Sequence, residues 1–504
     1  MGAIHRLPLL LLLTGLFSVA MLPPAVYALA VGEHHDARSF FYSALLGLVV
    51  TALVGVALGN RRHNRNALRQ LLALLAAFVL LPLFLAVPFF EALRTTAFLS
   101  AYMEMLSALT TTGLPLFEPA RLSGAEHLWR GMVGWMGGWM IWVSAAAILA
   151  PLTLGGFEVT AGGEPGQSMA EGVAGGTQTD PAARLWRSIT GLTPVYVGLT
   201  GALCVMLLVA GDPPLVAVIH AMSTMATSGI SPLPLQAASP SGLPGEMIVF
   251  AFLLFALSRQ TFSSDTTPGK GPGLWFDPEF RLGILIVAAV PVMLFVRHWI
   301  AALEIGDEQN LMAGLRAFWG ALFTALSFLS TTGFVSTEWV TARDWSGLAT
   351  PGIILMGLAL IGGGVATTAG GVKLMRVYAL YLNGAREIER LVYPHSVGRA
   401  NLVSRRIRRE GGFIAWVVFM MVAVTLAALS ILLGLAGIAF EQSMVLTIAT
   451  LSNTGPLTAV AAAEPIALLG LPVAAKVLIC AGMVLGRLEL LAIVVMLNPD
   501  IWRD

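Results

Sequence analysis

Apolar runs long enough to cross a bilayer follow one another along almost the whole chain. A hydrocarbon environment leaves such a chain two choices, helices that satisfy their own backbone or closed barrels. The runs fall near 7–31, 39–59, 67–92, 126–152, 186–210, 244–262, 280–302, 347–382, 411–438 and 465–497. Each is close to the ~20 residues a spanning helix needs. Only 11% of the 504 residues are charged, against about 25% in a soluble domain, and the mean hydropathy is +0.81. The expectation is an all-α polytopic membrane protein of roughly ten spans. The first run follows Arg6 and contains Ala28-Leu29-Ala30, features of a cleaved leader, but its length favours a retained helix. Cys204 and Cys480 both sit in apolar runs and read as small buried hydrophobes.

Shorter apolar pieces lie between alternate spans, near 98–110, 214–227, 315–330 and 440–451. Each is too short to cross, and each ends in hydroxyl residues closed by glycine. The four endings are Thr110-Thr111-Thr112-Gly113, Thr227-Ser228-Gly229, Ser330-Thr331-Thr332-Gly333 and Ser452-Asn453-Thr454-Gly455. An apolar residue or proline follows at once or nearly so: Leu114-Pro115, Ile230-Ser231-Pro232, Phe334 and Pro456. After two leading helices the order is therefore span, re-entrant half-helix, glycine motif, span, four times over. Diverged repeats of one unit around an axis are the simplest reading. It divides the chain into two N-terminal helices (1–62) and four repeats at 63–160, 161–270, 271–395, with a broken second helix, and 396–504.

Lys and Arg set orientation. With the N-terminus inside, the cytoplasmic segments hold Arg61, Arg62, Arg65 and Arg69, then Lys373, Arg376, Arg386, Arg390, Arg399, Arg405, Arg406, Arg408 and Arg409. Both termini are then cytoplasmic and all four glycine motifs lie outside. The outer segments lean acidic, with Glu33, Asp36, Glu91, Glu104, Glu118, Asp212, Glu304, Asp307, Glu308, Glu338 and Asp344. An acidic mouth concentrates cations. The segments 160–181 and 263–273 are rich in glycine and small polar residues and read as cytoplasmic loops. The basic 373–410 stretch can meet anionic lipid or a soluble regulator.

A dehydrated alkali cation needs a cage of hard oxygens, which backbone carbonyls supply if the chain turns them inward. Glycine reaches the positive φ this often requires. Neighbouring hydroxyls can brace the strand, and the C-terminal end of the preceding half-helix carries partial negative charge. Four such segments on one face can surround an ion.

The run 347–382 is interrupted by Gly362-Gly363-Gly364 and Gly370-Gly371, with Thr367 and Thr368 between. Broken backbone at membrane depth belongs where it is buried in protein or lines water, so the break reads as a gate below the glycine motifs or as close packing through small residues. Arg487 lies inside the last span, as an electrostatic barrier beside that loop or a structural tie. Glu489 falls on another face of the same helix. Lys476 reads as a pairing residue, Lys373 and Arg376 as a basic cytoplasmic helix end, and His220 as a hydrogen-bonded core histidine. Trp129, Trp135, Trp139 and Trp142 read as anchoring and packing. No H-E-x-x-H, G-x-S-x-G or dinucleotide fingerprint occurs. Neither an enzyme, an organic cofactor nor a nucleic-acid partner is expected.

The motifs Thr110-Thr111-Thr112-Gly113, Thr331-Thr332-Gly333-Phe334 and Asn453-Thr454-Gly455-Pro456 resemble the filter signatures of the Trk/Ktr/HKT superfamily of potassium transporters, nearest the bacterial TrkH branch. Ile361 to Arg376 is similar to that family's glycine-rich break. Gly486-Arg487-Leu488-Glu489-Leu490 and Asn498-Pro499-Asp500-Ile501-Trp502-Arg503 resemble its last helix and its ending. The resemblance implies a monomeric pore of four M1–pore helix–M2 units. K+, as the transported ion, would be held by carbonyls of Thr111, Thr112, Gly113, Thr227, Ser228, Gly229, Thr331, Thr332, Gly333, Asn453, Thr454 and Gly455. It also implies an intramembrane gate loop, a homodimer, a cytosolic TrkA-like ring of nucleotide-binding regulatory subunits, and a bacterial inner-membrane location. Glycine rather than serine at position 113 favours potassium. Ser228 stands where a second glycine is usual and Thr454 where an apolar residue is, which bears on how strictly sodium is refused. Two rivals are sodium or mixed-cation permeation through the same fold, and a secondary transporter with inverted repeats, which would place the motifs on opposite sides.

Overall fold

The computed structural model describes residues 8–58, 67–152, 154–159, 181–234, 240–258, 274–305, 311–347, 351–393, 411–490 and 492–493. Among them the regular structure is entirely helical. The segments 160–180 and 263–273, the 394–410 part of the basic stretch and the Asn498–Arg503 ending lie outside the described residues.

The first apolar run forms α1 (Leu9–Ala20) and α2 (Leu22–Val31), which meet at Met21. Gly32, at φ +89°, ends α2, and α3 (His34–Leu58) packs against both. Repeat one follows as α4 (Ala67–Leu93), α5 (Phe98–Leu109) and α6 (Gly124–Ser144). Repeat two comprises α7 (Pro181–Ala210), α8 (Pro214–Ala226) and α9 (Leu243–Leu253). Repeat three has α10 (Pro278–Ile305), α11 (Leu311–Leu329), α12 (Trp339–Ser346), α13 (Gly352–Ile361) and α14 (Leu374–Val392). Repeat four has α15 (Gly412–Leu435), α16 (Phe440–Leu451) and α17 (Val473–Leu488).

Eight helical stretches among the described residues are long and apolar enough to cross a membrane, beside the roughly ten apolar runs of the sequence. The run 244–262 supplies only Leu243–Leu257. The run 347–382 is two helices separated at 362–373, and the run 465–497 yields the 16-residue α17. Conversely α11, expected as a half-helix, has 19 residues. The good helix formers Leu311, Met312 and Ala313 extend it toward its N-terminus.

Each short helix sits between the two flanking helices of its own repeat: α5 between α4 and α6, α8 between α7 and α9, α11 between α10 and α13, α16 between α15 and α17. Each second helix also packs on the short helix of the next repeat, α6 on α8, α9 on α11, α13 on α16 and finally α17 on α5. That order closes a ring. Two apolar cores flank it. One joins α1–α4 to repeats one and four, and the other is built chiefly from repeats two and three.

Buried charges fix the helices of this ring. Ser123 and Glu126 form a reciprocal capping box that starts α6. Glu104 of α5 pairs with Arg130 of α6, both almost fully buried. Glu246 of α9 is 0% exposed and accepts from Trp319 Nε1, Ser336 Oγ, the Thr337 N–H and Thr337 Oγ1 at 2.7–2.9 Å. A buried carboxylate is tolerable when so many donors meet it, and here they bind repeat two to repeat three.

Candidate functional site

Each short helix stops at a residue in the left-handed region: Thr111 (φ +53°), Thr227 (+50°), Thr331 (+60°) and Asn453 (+53°). Asparagine visits this region readily, but a β-branched threonine there is strained. The first turn after each helix has the same pattern. The N–H of Thr112, Ser228, Thr332 and Thr454 donates back to Ser107, Ser223, Ser327 and Ala449 respectively, at 2.8–2.9 Å. Four chemically similar sequences thus make one local structure, and each helix turns its C-terminal end, with its partial negative charge, toward the ring.

The glycines show how the four segments meet. A Cβ on Gly113 would lie 1.9 Å from the Ser228 carbonyl oxygen, and one on Gly229 would lie 2.1 Å from that of Thr332. A Cβ on Gly333 would strike Pro456 at 2.7 Å, and one on Gly455 would strike the Leu114 nitrogen at 2.4 Å. Segment one therefore abuts two, two abuts three, three abuts four and four abuts one. Gly113, Gly229 and Gly333 also have positive φ, from +65° to +82°. Gly455 does not; its N–H donates to the Thr112 carbonyl at 2.6 Å.

Hydroxyls brace the ring from behind. Thr110 pairs with Thr112 at 2.8 Å, Ser330 with Thr332 at 3.0 Å and Ser452 with Thr454 at 3.1 Å. In segment two the matching position is Ala226, and Ser228 instead reaches Ser223 at 3.1 Å. The serine at 228 therefore keeps the brace by another route. Thr111 Oγ1 and Asn453 Oδ1 are buried without a hydrogen-bond partner.

The glycine-rich break lies against the helix-proximal end of this ring. Its two arms run close together: a Cβ on Gly362 would lie 2.2 Å from the Gly370 oxygen, and one on Gly371 would lie 2.6 Å from Gly362 Cα. Gly362 and Gly371 take φ of +75° and +78°. Gly363 and Gly364 pack on the backbone of Ala256 and Leu257, and Gly364 N–H donates to Ala256 O. Thr367 Oγ1 caps the loop internally on Gly364 O at 2.8 Å. From its tip, Thr368 Oγ1 accepts from Thr227 Oγ1 at 3.1 Å and donates to Met225 O at 3.2 Å. Gly370 N–H donates to Thr331 Oγ1 at 2.7 Å, and a Cβ on Gly370 would meet Ser452 O at 2.1 Å. The loop thus touches the segments of repeats two, three and four.

Arg487 reaches the same loop, donating from Nη1 to Thr368 O at 2.8 Å, while its buried Nε and Nη2 have no hydrogen-bond partner. Glu489 pairs with Arg376 at 2.5 Å, across the loop's C-terminal end, rather than with Arg487. Lys373 donates from Nζ to Ala369 O, and both Lys373 and Arg376 are buried. Their reading as a basic cytoplasmic helix end is corrected: they hold the break in shape. Their placement directly after Gly370-Gly371 was the available signal. Glu279 was also missed; it accepts from the Val365 N–H at 3.0 Å.

Other readings fare as follows. His220 is buried, with Nε2 2.9 Å from Ser231 Oγ and its ring beside Phe334. Lys476 donates to Leu469 O at 2.8 Å and Ser100 Oγ at 3.3 Å. Trp129, Trp135 and Trp139 each hydrogen-bond through Nε1 inside the helix packing, and Trp142 packs beside Tyr196.

A helical chain with eight membrane-length stretches among its described residues, folded as four units around one ring of hydroxyl–glycine segments, is an integral membrane protein. Residues 246–502 match the TrkH family model, described as a cation transport protein. The chain is 30% identical to the Trk system potassium uptake protein TrkH of Vibrio parahaemolyticus and 28% identical to that of Escherichia coli K12, with 98% of both sequences covered in each case. It also superposes on the crystal structure of the potassium transporter TrkH from Vibrio parahaemolyticus with a TM-score of 0.78 and 26% identity, covering all of both chains. The chain belongs to the TrkH family, a family of transporters rather than enzymes.

Proposed function

We propose that this protein is the membrane subunit of a potassium uptake system, passing K+ through the axis of the ring down its electrochemical gradient. The observation that carries this reading is the cyclic abutment of the four segments at the C-terminal ends of four short helices, with the 362–371 loop packed against the same ring. Backbone carbonyls of residues 111–113, 227–229, 331–333 and 453–455 replace the hydration shell of the ion. The loop from Gly362 to Gly371, with Thr367, Thr368 and Arg487, is the gate: a guanidinium on the axis repels a cation until it moves aside.

In this reading the repeats run 63–160, 161–270, 271–395 and 396–504, behind two helices at 1–62. The protein sits in the bacterial inner membrane as a homodimer, both termini cytoplasmic, on a cytosolic nucleotide-binding ring of the TrkA type. Sodium or mixed-cation permeation is the second reading, favoured by the unlike seam at Gly455. Expression in a bacterial strain unable to accumulate potassium tests both. Growth on low potassium, with rubidium uptake that excess sodium leaves unchanged, supports the first. Uptake blocked by sodium supports the second, and failure of both growth and uptake rejects the function.

A further inference from the structure

We infer that the side chain of Asn453 is a specificity-determining positioning residue, which ties the first filter segment to the last helix and so sets the ring's spacing at one seam. The inference rests on the reading of the ring as the filter.

Asn453 is 1% exposed, and its Nδ2 donates to Thr112 Oγ1 at 2.9 Å and to the Met483 carbonyl at 3.1 Å. The Met483 oxygen can only accept, which fixes the amide's orientation. Thr112 is held again by its own backbone, since its carbonyl accepts the Gly455 N–H at 2.6 Å. Both contacts cross from the fourth segment to the first. Among the described residues the other three seams are packing contacts with no hydrogen bond between segments: Gly113 and Gly229 lie on neighbouring backbone oxygens, and Gly333 lies on the Pro456 ring.

Residue type explains the difference. The matching positions are Thr111, Thr227 and Thr331, whose hydroxyl stands one bond from Cβ. An amide nitrogen stands one bond further out and carries two hydrogens, so it bridges two acceptors. Met483 lies one turn before Arg487 in α17, and Arg487 holds the Thr368 carbonyl of the gate loop. A continuous set of contacts therefore runs from that loop through α17 and Asn453 to Thr112. Discrimination among alkali cations depends on the number and spacing of coordinating oxygens. A shift of α17 is thereby transmitted to the filter at this seam.

The test uses the full chain in proteoliposomes, with rubidium and sodium fluxes measured for Asn453→Thr, Thr112→Val, the double variant and Gly113→Ser. Threonine is the residue the other repeats carry at that backbone angle, and valine keeps the shape of Thr112 without its hydroxyl. Each single change is expected to lower the rubidium-to-sodium flux ratio about fivefold, the effect of one hydrogen bond. The double variant is expected to fall by less than the two single losses combined, because both singles break the Asn453–Thr112 contact. A residue that only stabilises the fold would reduce the yield of active protein and leave the ratio alone. Unchanged ratios in both singles, or additive losses, overturn the inference while Gly113→Ser still shifts the ratio. If Gly113→Ser also leaves it unchanged, the filter reading itself fails. Should Asn453→Thr not assemble, Thr112→Val alone decides: an unchanged ratio overturns the proposal.

Discussion

Gly113 is where a single methyl group decides most. Its φ of +66° strains any other residue, and a Cβ there would lie 1.9 Å from a backbone oxygen that no rotamer can move. Gly113→Ser must therefore displace segment two. The expected result is a rubidium uptake rate at least about tenfold lower, equivalent to ~1.4 kcal/mol, with a lower potassium preference in sodium competition. A variant with wild-type rates and preference would count against the ring as the selective element. The glycines themselves were legible in the sequence; the left-handed threonines before them were not. Nothing in a Thr-Thr-Gly string announces that the first residue stores strain, because the strained turn is set where the segment meets its two neighbours in the ring. Gly455 is the complementary case: it closes a similar Asn-Thr-Gly string but is bonded to Thr112 instead of turned like its counterparts.

The element that most rewards perturbation is the broken helix between α13 and α14. Its shape is held by Lys373, by Glu279 and by the Arg376–Glu489 pair, and its tip by Arg487 and Thr227. Arg487→Gln keeps a donor for Thr368 O and removes the charge. Basal ion flux without any regulator is expected to rise several-fold, measured as rubidium leak from loaded vesicles. An unchanged leak would reduce Arg487 to a structural tie. Glu489→Gln removes one carboxylate partner of the buried Arg376. Losing one partner of a buried pair costs about 3–5 kcal/mol; Glu489 is 13% exposed, so the low end applies. The expected readout is a lower Tm of the purified protein in detergent, with Arg376→Met plus Glu489→Met closer to wild type. The glycine clusters were visible as a break from composition alone. That Lys373 and Arg376 serve the break was signalled only by their place just after Gly370-Gly371, because a basic helix end looks the same whether it meets solvent or protein.

For the whole molecule the ring is closed by helix packing, α6 on α8, α9 on α11, α13 on α16 and α17 on α5. In the proposed topology all four motifs open to the outer side of the membrane. Single cysteines at the exposed positions Glu118, Pro234, Val340 and Glu464, just beyond the four segments, are expected to react with an impermeant thiol reagent from the outside only. Labelling of any pair from opposite sides would restore the inverted-repeat alternative.

The amino-acid sequence by itself determined the class of fold, the four units and the residues at their centre. Apolar length and the hydroxyl–glycine ending are local properties, and hydrocarbon solvent leaves such segments little alternative to helices and buried turns. Tertiary structure decided what locality cannot: which segment touches which, that the fourth seam is hydrogen-bonded while the other three are not, and that distant charges at 279, 373, 376, 487 and 489 gather around one loop. Most of those outcomes depend on contacts between residues far apart in the sequence, such as Glu279 with Val365, Arg376 with Glu489 and Arg487 with Thr368. Only closing the ring brings them within hydrogen-bonding distance.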